Sequence, residues 1–566
     1  MADLIRVNLT THTVTREPVP KEYALLGGRG LITQILSDEV DPECHPLGEE
    51  NKLVIAPGLF TGTRVPSTGR LSVGAKSPHT GGIKESNGGG TAATKLAKLG
   101  IKAIILEGKP ATPVWNTLSV TADSIQIVPA EGLTGLGNFK TTTKLQETYG
   151  TKASFITIGQ GGEMQMGTAT VAITDMDGLP NRHCGRGGMG AVMGSKYIKA
   201  IIIDDTGADG HLFEMTDKVA FNAEAKEWAK QLVESGKGLH NFGTAVLVNP
   251  ISQNGGLPTR NFSMGTFEGS EKINGQMLTK TINERGGKVG HGCSPGCAIR
   301  CSNVYNDLDG NYVVSGLEYE TIALMGSNLE IDSLDVIAKL NYLCNDYGVD
   351  TMEIGVTIGV AMEAGLAAFG DGDAAISLLN ELPRGTVLGK LIGQGATVTG
   401  RVLGITRVPA TKGQAMSGYD PRALKGTGIT YATSTMGGDH TAGNCLPGRG
   451  GVDPNRSEGQ VAVSRDLQIM STVVDNMGLC LFVGPLPGSM ERIARLISAA
   501  TGKETSVEDL LEMGKSILRL EIKFNTKAGF TKADNRLPEF FRKETLGPKK
   551  LVFDIDPAEL DEVMNF

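Results

Sequence analysis

The segment His291-Gly-Cys293-Ser-Pro-Gly-Cys297-Ala-Ile-Arg-Cys301 places three cysteines within nine residues, with three residues in each gap. Thiolates this close together on a Gly/Pro turn can converge on one iron–sulfur cluster. Zinc is a rival, although its structural sites usually pair two two-cysteine units. A set of buried apolar cysteines is the plainer alternative. A cubane needs a fourth ligand, which must come from Cys44, Cys184, Cys344, Cys445 or Cys480.

Two further segments share one design. Asn345-Asp-Tyr-Gly348-Val349-Asp350 and Asp475-Asn-Met-Gly478-Leu479-Cys480 each close a helix pattern with an apolar stripe. Each has glycine where a left-handed residue ends a helix and a polar side chain three residues earlier. A carboxylate at a helix C-terminus opposes the macrodipole. Asp475 therefore wants a donor partner, and a flat heterocycle presenting two N–H groups would suit it. Ordinary glycine-terminated helices with solvated side chains are the alternative. Recurrence of the pattern, with a cysteine closing the second copy, weighs against that alternative.

These groups must be positioned by a long chain. At 566 residues it exceeds one hydrophobic core, and three or four domains are expected. An apolar share of 40% with 20% charged residues excludes disorder as the main state. The net charge of −8 makes nucleic acid and anionic membrane surfaces poor partners. Glycine is 77 of 566 residues, about twice its usual share of about 7%. That excess implies tight turns and close backbone approaches. The N-terminus lacks a basic region followed by an apolar stretch, and the longest apolar run, Gly355 to Gly370, is broken by Glu363. No secretory signal or membrane span is expected. Eight cysteines are too few for a disulfide scaffold, so a reducing, cytoplasmic setting is expected.

From Leu4 to about Asp205, short β-branched runs bounded mostly by Gly, Pro or Asp predict strands. Examples are Leu53–Ala56, Leu71–Ala75, Ala103–Glu107, Ser124–Val128, Ser154–Ile158 and Ala200–Asp204. From about Met215 the apolar spacing becomes helical, over Lys218–Glu234, Leu334–Asn345, Val463–Met477 and Val507–Lys523. The reading is α+β: a β-rich domain over 1–205 forming a base for a cofactor, then two mainly helical domains over 206–410 and 411–566. Gly185-Arg-Gly187-Gly-Met-Gly190, with Asp204 beyond it, imitates a dinucleotide fingerprint. Pro180–Gly185 does not read as a strand, and the gap to the strand near Tyr197 is too short for a crossover helix, so NAD binding is set aside.

The chain resembles the aldehyde:ferredoxin oxidoreductases, tungsten enzymes with a bis-pyranopterin cofactor and a [4Fe-4S] cluster. The N-terminal region carries Leu26-Gly-Gly-Arg-Gly-Leu31, Ala56–Thr63, Gly69-Arg70, Lys76-Ser-Pro78, Asn87–Gly90 and Gly185–Lys196. The rest carries Gly243–Leu247, the cysteine loop, Glu318-Tyr-Glu320, Tyr419–Arg422, Gly437–His440 and the Asp475 motif. The resemblance implies that Cys293, Cys297, Cys301 and Cys480 hold the cluster, although the family usually leaves two residues between its first two cysteines. Arg70, Asn87, Gly89, Arg182, His183, Gly185 and Arg186 match positions around the cofactor phosphates and a bridging magnesium, as befits forked cations and glycine backbone. Asn345, Gly348, Val349 and Asp350, with Asp475, Gly478 and Leu479, match the two pterin-binding motifs. Asn345 replaces the family's Asp, so it accepts through one oxygen only.

Glu320 and His440 match the two groups beside the metal, suited to moving a proton and steadying an oxyanion. Lys339-Leu-Asn-Tyr342 stands where the family has the Glu-x-x-His that serves an interface iron. That site is expected to be absent, and an oligomer is left open. The resemblance implies oxidation of an aldehyde to a carboxylic acid on tungsten or molybdenum. Electrons would leave to ferredoxin or an iron–sulfur partner subunit. The alternatives are a family member that reduces an activated acid or aromatic ring, and a non-catalytic iron–sulfur electron-transfer subunit.

Overall fold

The β-branched runs of the first 205 residues form two six-stranded sheets in the computed structural model, which describes residues 2–566. The first sheet has the order Thr13–Pro18, Asp3–Asn8, Ile101–Glu107, Leu53–Pro57, Leu71–Lys76, Ile83–Gly88. The second has the order Ile125–Pro129, Asn116–Val120, Ile198–Ile203, Ser154–Thr157, Val171–Ile173, Arg182–Cys184. The two orders are the same topology traced twice. Each sheet begins with an antiparallel hairpin, has one parallel pair, and continues antiparallel to an edge strand. Central strands such as Leu53–Pro57 and Leu71–Lys76 are buried throughout, which is why they read as unbroken apolar runs. Ile5, Ile104, Leu118, Ile156 and Ile201, drawn from both sheets, share one core cluster.

The two edge strands, Ile83–Gly88 and Arg182–Cys184, pack against each other. A Cβ on Gly88 would lie 2.8 Å from the His183 carbonyl oxygen, so only glycine permits this approach. Asn87 and Arg182 are thus presented side by side by equivalent edges of duplicated sheets.

One reason given for setting aside the dinucleotide fingerprint does not hold. Arg182–Cys184 is a strand, and Met189–Ser195 is a short helix leading to the strand Ile198–Ile203. The exclusion stands on different ground. Those two strands are separated by two others and run antiparallel, whereas a dinucleotide crossover joins parallel strands.

The later chain is mainly helical. Leu334–Tyr347 starts at Ser333, whose side chain accepts from the Val336 N–H, and ends at Gly348 with φ 71°. Gln460–Met477 ends at Gly478 with φ 75°. Gly58 and Gly478 meet so closely that a Cβ on Gly58 would sit 2.1 Å from the Gly478 Cα. The backbone N–H groups of Leu59 and Phe60 donate to the carbonyls of Asn476 and Met477, at 3.0 and 3.1 Å. The β-rich base is thereby sewn to the end of the second motif helix. The sequence reading did not anticipate a three-stranded antiparallel sheet, Lys288–His291, Ser302–Asn306 and Tyr312–Ser315. Its first connection is the cysteine loop. None of the described helices is long and apolar enough to cross a membrane.

Candidate active site

A cavity of about 360 Å³ lies where the paired edge strands, the two helix ends and the cysteine loop meet. Its wall includes Arg70, Asn87, Gly89, Arg182, His183, Gly185, Arg186, Asn345, Val349 and Asp350. It also includes Glu320, His440, Cys293, Cys301 and Cys480. Residues drawn from positions 70 to 480 of the sequence therefore converge on one space. Gly348, Asp475, Gly478 and Leu479 are not on the wall; Asp475 reaches it only through Asn87, which donates to its carboxylate. Cys297 is not on the wall; its sulfur accepts from the Arg300 N–H at 3.3 Å.

Glu320 sits in the first turn of the helix Tyr319–Met325. Its Oε2 accepts from the Gly418 N–H at 2.7 Å, while the neighbouring Tyr319 hydroxyl donates to the Gly418 carbonyl at 2.6 Å. Gly418 is held from both sides, and the carboxylate is fixed through one oxygen. The other oxygen, Oε1, lies 3.1 Å from His440 Nε2, out of line for a hydrogen bond. Neither Oε1 nor His440 Nδ1 has a hydrogen-bond partner among the described residues, and both are buried. Tyr419 flanks the pair, its ring 5.5 Å from that of His440. Glu318, two residues earlier, is extended and points elsewhere. Its Oε2 accepts from the Thr244 hydroxyl at 2.7 Å, Arg182 lies 3.8 Å from its Oε1, and burial raises its pKa.

Asp475 accepts from Asn87 Nδ2 at 3.3 Å and lies 3.4 Å from Arg29. Burial and the nearby Glu85 carboxylate push its pKa up, against Arg29 and Arg70. Asn345 at the equivalent helix end donates to Asn181 Oδ1 at 3.4 Å. The three arginines differ in what they have left to offer. Arg70 grips Asn87, from Nε to Oδ1 at 2.6 Å and from Nη2 to the carbonyl at 2.9 Å. Arg182 donates from Nη2 to the Ser302 hydroxyl at 2.8 Å and keeps a buried Nε without a partner. Arg186 is spent on the protein. It bonds Asp350 at 3.2 Å and the Gly438 and Ala415 carbonyls at 2.8 and 2.5 Å. Asp350 also caps the helix Thr351–Glu363 through the Met352 and Glu353 N–H groups. Burial pushes His183 down to about 4, and its neutral ring sits between Thr170 and the Pro180 carbonyl.

Cys480 and the cysteine loop are joined through Ser67, a residue in the left-handed region at φ 57°. The Cys480 N–H donates to the Ser67 carbonyl at 3.0 Å, and the Ser67 N–H donates to the Gly296 carbonyl at 2.9 Å. The Ala298 N–H donates to the Ser67 hydroxyl at 3.1 Å. The hydrogen bond from Cys297, with Arg182 and Arg70 nearby, holds the Cys293 thiol below its usual range. Among the described residues no group of three or more His, Cys, Asp or Glu side chains is arranged to hold a single metal ion. Cys293, Cys301 and Cys480 border the same cavity.

Two family models together span almost the whole chain. The N-terminal domain of aldehyde ferredoxin oxidoreductase matches residues 4–205, and domains 2 and 3 of the same enzyme match residues 221–565. The chain belongs to the aldehyde ferredoxin oxidoreductase family. The tungsten-containing aldehyde ferredoxin oxidoreductase of Thermococcus kodakarensis is 34% identical, over 96% of this chain and 92% of its own length. That of Pyrococcus furiosus is 32% identical, again over 96% and 92%. The aliphatic sulfonate oxidoreductase WOR-like subunit of Pyrococcus furiosus is 28% identical, over 97% and 90%. The BamBC active-site complex of benzoyl coenzyme A reductase, solved with 1,5-dienoyl-CoA, shares the fold. Its TM-score is 0.80 at 18% identity, covering 99% of this chain and 93% of that one. As an aldehyde ferredoxin oxidoreductase family member, the protein is an oxidoreductase.

At the position of the family's interface-iron motif, Lys339 Nζ lies 5.1 Å over the Tyr342 ring, which stacks on Phe139 at 4.9 Å. Several supporting residues escaped the sequence reading. Arg29 and Glu521 form a buried bidentate pair at 2.8 and 2.7 Å, and Lys84 pairs with Asp439 at 2.7 Å. Arg29 and Asp439 lie inside motifs that the resemblance singled out, a signal that could have flagged them. Lys84, Glu521 and Ser67 carry no such local signal.

Glu353 supports Arg186 from behind. Its Oε2 lies 3.2 Å from His79 and 3.6 Å from Arg186, and its two oxygens accept from the Ala396 and Ala415 N–H groups. His79, Arg186 and these donors hold its pKa near 2, despite a burial penalty that alone would raise it. The folded value lies below the ordinary 4.5, so its contribution to stability is full above about 4.5 and lost as pH falls toward 2. Glu353→Gln should cost about 3 kcal/mol near neutral pH. The gap from wild type, measured by denaturation, should narrow as pH drops from 7 toward 3. A gap independent of pH would show that the carboxylate charge contributes nothing to stability.

Proposed function

We propose that this family member binds a bis-pyranopterin carrying tungsten or molybdenum together with a [4Fe-4S] cluster, and oxidises an aldehyde to its carboxylic acid. The observation that carries this is the meeting of Glu320 and His440, 3.1 Å apart, on a wall they share with Cys293, Cys301 and Cys480 and with Asn345 and Asp350 of the first motif. The lining fits such a group. Buried polar atoms without partners, Arg182 Nε, Glu320 Oε1 and His440 Nδ1, belong to residues of that wall.

Asp475 and Asn345 would accept from the two pterins. Arg70, Asn87, Gly89, Arg182, His183 and Gly185 would surround the phosphates and a magnesium ion. Arg182 has a donor to spare there, whereas Arg186 would act by holding Asp350, Gly438 and Ala415 in place. Cys293, Cys297, Cys301 and Cys480 would ligate the cluster. When bound, the metal centre supplies a two-electron acceptor and the cluster a one-electron relay.

The chain's own residues handle the proton and the charge. Glu320, anchored by Gly418 through Oε2, keeps Oε1 to take a proton from water or a hydrated aldehyde. His440 Nε2, next to that oxygen, can donate to a developing oxyanion. Electrons would leave toward Cys297, behind which Gly296 and Arg300 are exposed, to ferredoxin or an iron–sulfur partner.

Metal analysis and an aldehyde panel test this. About four irons per chain with tungsten or molybdenum are expected, along with turnover of aldehydes. Iron without either metal would point to an electron-transfer scaffold. Full metal content with no aldehyde turned over would point to a reductase of activated acids or aromatic rings.

A further inference from the structure

The cysteine loop joins two antiparallel strands, Lys288–His291 and Ser302–Asn306, and the residues at its two ends, His291 and Ser302, are paired across them. Both reach one atom. Arg182 Nη2 donates to the Ser302 hydroxyl at 2.8 Å and lies 3.5 Å from His291 Nδ1. On the other side of the ring, His291 Nε2 lies 2.8 Å from Asp177 Oδ2. His291, Ser302 and Arg182 are buried, whereas the Asp177 side chain is half-exposed. Asp177 stands on the turn that leads into the strand carrying Arg182. That turn is itself held, because Asp175 accepts from the Asp177 and Leu179 N–H groups at 2.9 and 3.0 Å and from Asn181 Nδ2 at 2.9 Å. The imidazole is therefore wedged between two groups of one fixed segment. A carboxylate beside Nε2 requires a hydrogen on that nitrogen, and a guanidinium beside Nδ1 requires a lone pair there. His291 thus faces Arg182 as an acceptor. With Nη2 taken up by two acceptors, the plane of the guanidinium is set, and its buried Nε has no partner among the described residues. Nη1 lies 3.8 Å from Glu318 Oε1, and a Cβ on Gly316 would come within 2.9 Å of it, so glycine there leaves this donor its room. Arg182 lines the cavity, and His291 stands behind it.

We propose that His291, oriented by Asp177, is a positioning residue that with Ser302 sets Arg182 toward the cofactor phosphates, so that the strand pair carrying the cysteine loop also fixes an arginine of the pterin pocket. The proposal rests on the reading of the cavity as a pterin site. His291 itself would touch neither cofactor nor iron. It acts by keeping Nη2 occupied and Nε and Nη1 available. A guanidinium fixed in advance loses less freedom when a phosphate arrives, and so holds it longer.

The experiment compares the wild-type holoenzyme with His291→Gln, His291→Leu and His291→Asn. The Gln amide reaches about as far as Nε2, so His291→Gln keeps the Asp177 partner and loses the acceptor for Arg182. His291→Asn puts an oxygen near the Nδ1 position and keeps that acceptor. His291→Leu keeps neither. Pterin per chain, its rate of release in mild denaturant and iron per chain are measured for each. Release should quicken by about 10-fold in His291→Gln and His291→Leu and stay within about twofold of wild type in His291→Asn, with about four irons per chain throughout. A merely structural histidine would not give this order, since His291→Asn removes more packing volume than His291→Leu. Equal release from every variant, at the wild-type rate or faster, overturns the proposal. Iron lost in step with pterin would also overturn it, because His291 would then be a support of the cysteine loop. Calorimetric binding of inorganic pyrophosphate covers protein that carries no pterin as purified. It should weaken in His291→Gln and His291→Leu and persist in His291→Asn. Pyrophosphate bound in that order by a protein without pterin would retain the role of His291 and sink the pterin reading. Pyrophosphate bound equally by every variant, or by none and not by wild type, overturns the proposal.

Discussion

Cys480→Ala is expected to strip the iron–sulfur cluster or convert it to a form with fewer irons, and to stop electron delivery to an external acceptor. The backbone around Cys480 is held independently of its thiol, through Ser67 to Gly296 and Ala298. The substitution therefore removes one sulfur while the connection between the cysteine loop and the end of the second motif helix persists. Iron should fall well below about four per chain, and the reduced-cluster EPR signal should vanish or change shape. Cys297→Ala should do the same. Cys44→Ala is the control, because that buried thiol lies near Lys76 and Asp41, away from the cavity. Four irons and an unchanged spectrum in Cys480→Ala would remove it from the ligand set.

Glu320→Gln should lower kcat by about 10²–10⁴-fold, the usual worth of a positioned general base, with tungsten or molybdenum, pterin and iron retained. Gln can keep the bond from the Gly418 N–H but cannot take a proton at neutral pH. His440→Asn should act on the same step. The double variant should be little slower than the worse single one, because the two side chains are 3.1 Å apart and would serve one proton and one developing charge. Near-wild-type turnover by fully loaded Glu320→Gln would exclude it from the mechanism. Glu318 would not be its substitute. The helix beginning at Tyr319 turns Glu318 toward Thr244 and Arg182, away from His440.

Much of the architecture was legible because its signals are local. A strand over Leu53–Ala56 and a helix over Leu334–Asn345 are expected from residue type or apolar spacing within a few residues. Both appear as Leu53–Pro57 and Leu334–Tyr347. Gly348 and Gly478 could be recognised because a helix C-terminus favours a left-handed residue that glycine adopts freely. The short strand Arg182–Cys184 was missed, since three residues carry too little pattern. The duplicated sheet was also invisible, because strand order depends on pairings between distant segments and leaves no period in the sequence.

The sequence by itself determined which elements form, that three cysteines share one loop, and that two helices end in the same glycine-closed motif. Tertiary structure alone decided which charges are satisfied. Arg29 finds Glu521 across 492 positions, Arg186 spends its fork on Asp350 and two carbonyls, and Lys84 finds Asp439. The physical reason is range. Backbone preference and apolar periodicity act between neighbours along the chain, whereas the fate of a buried charge depends on whichever distant group the fold brings within about 4 Å.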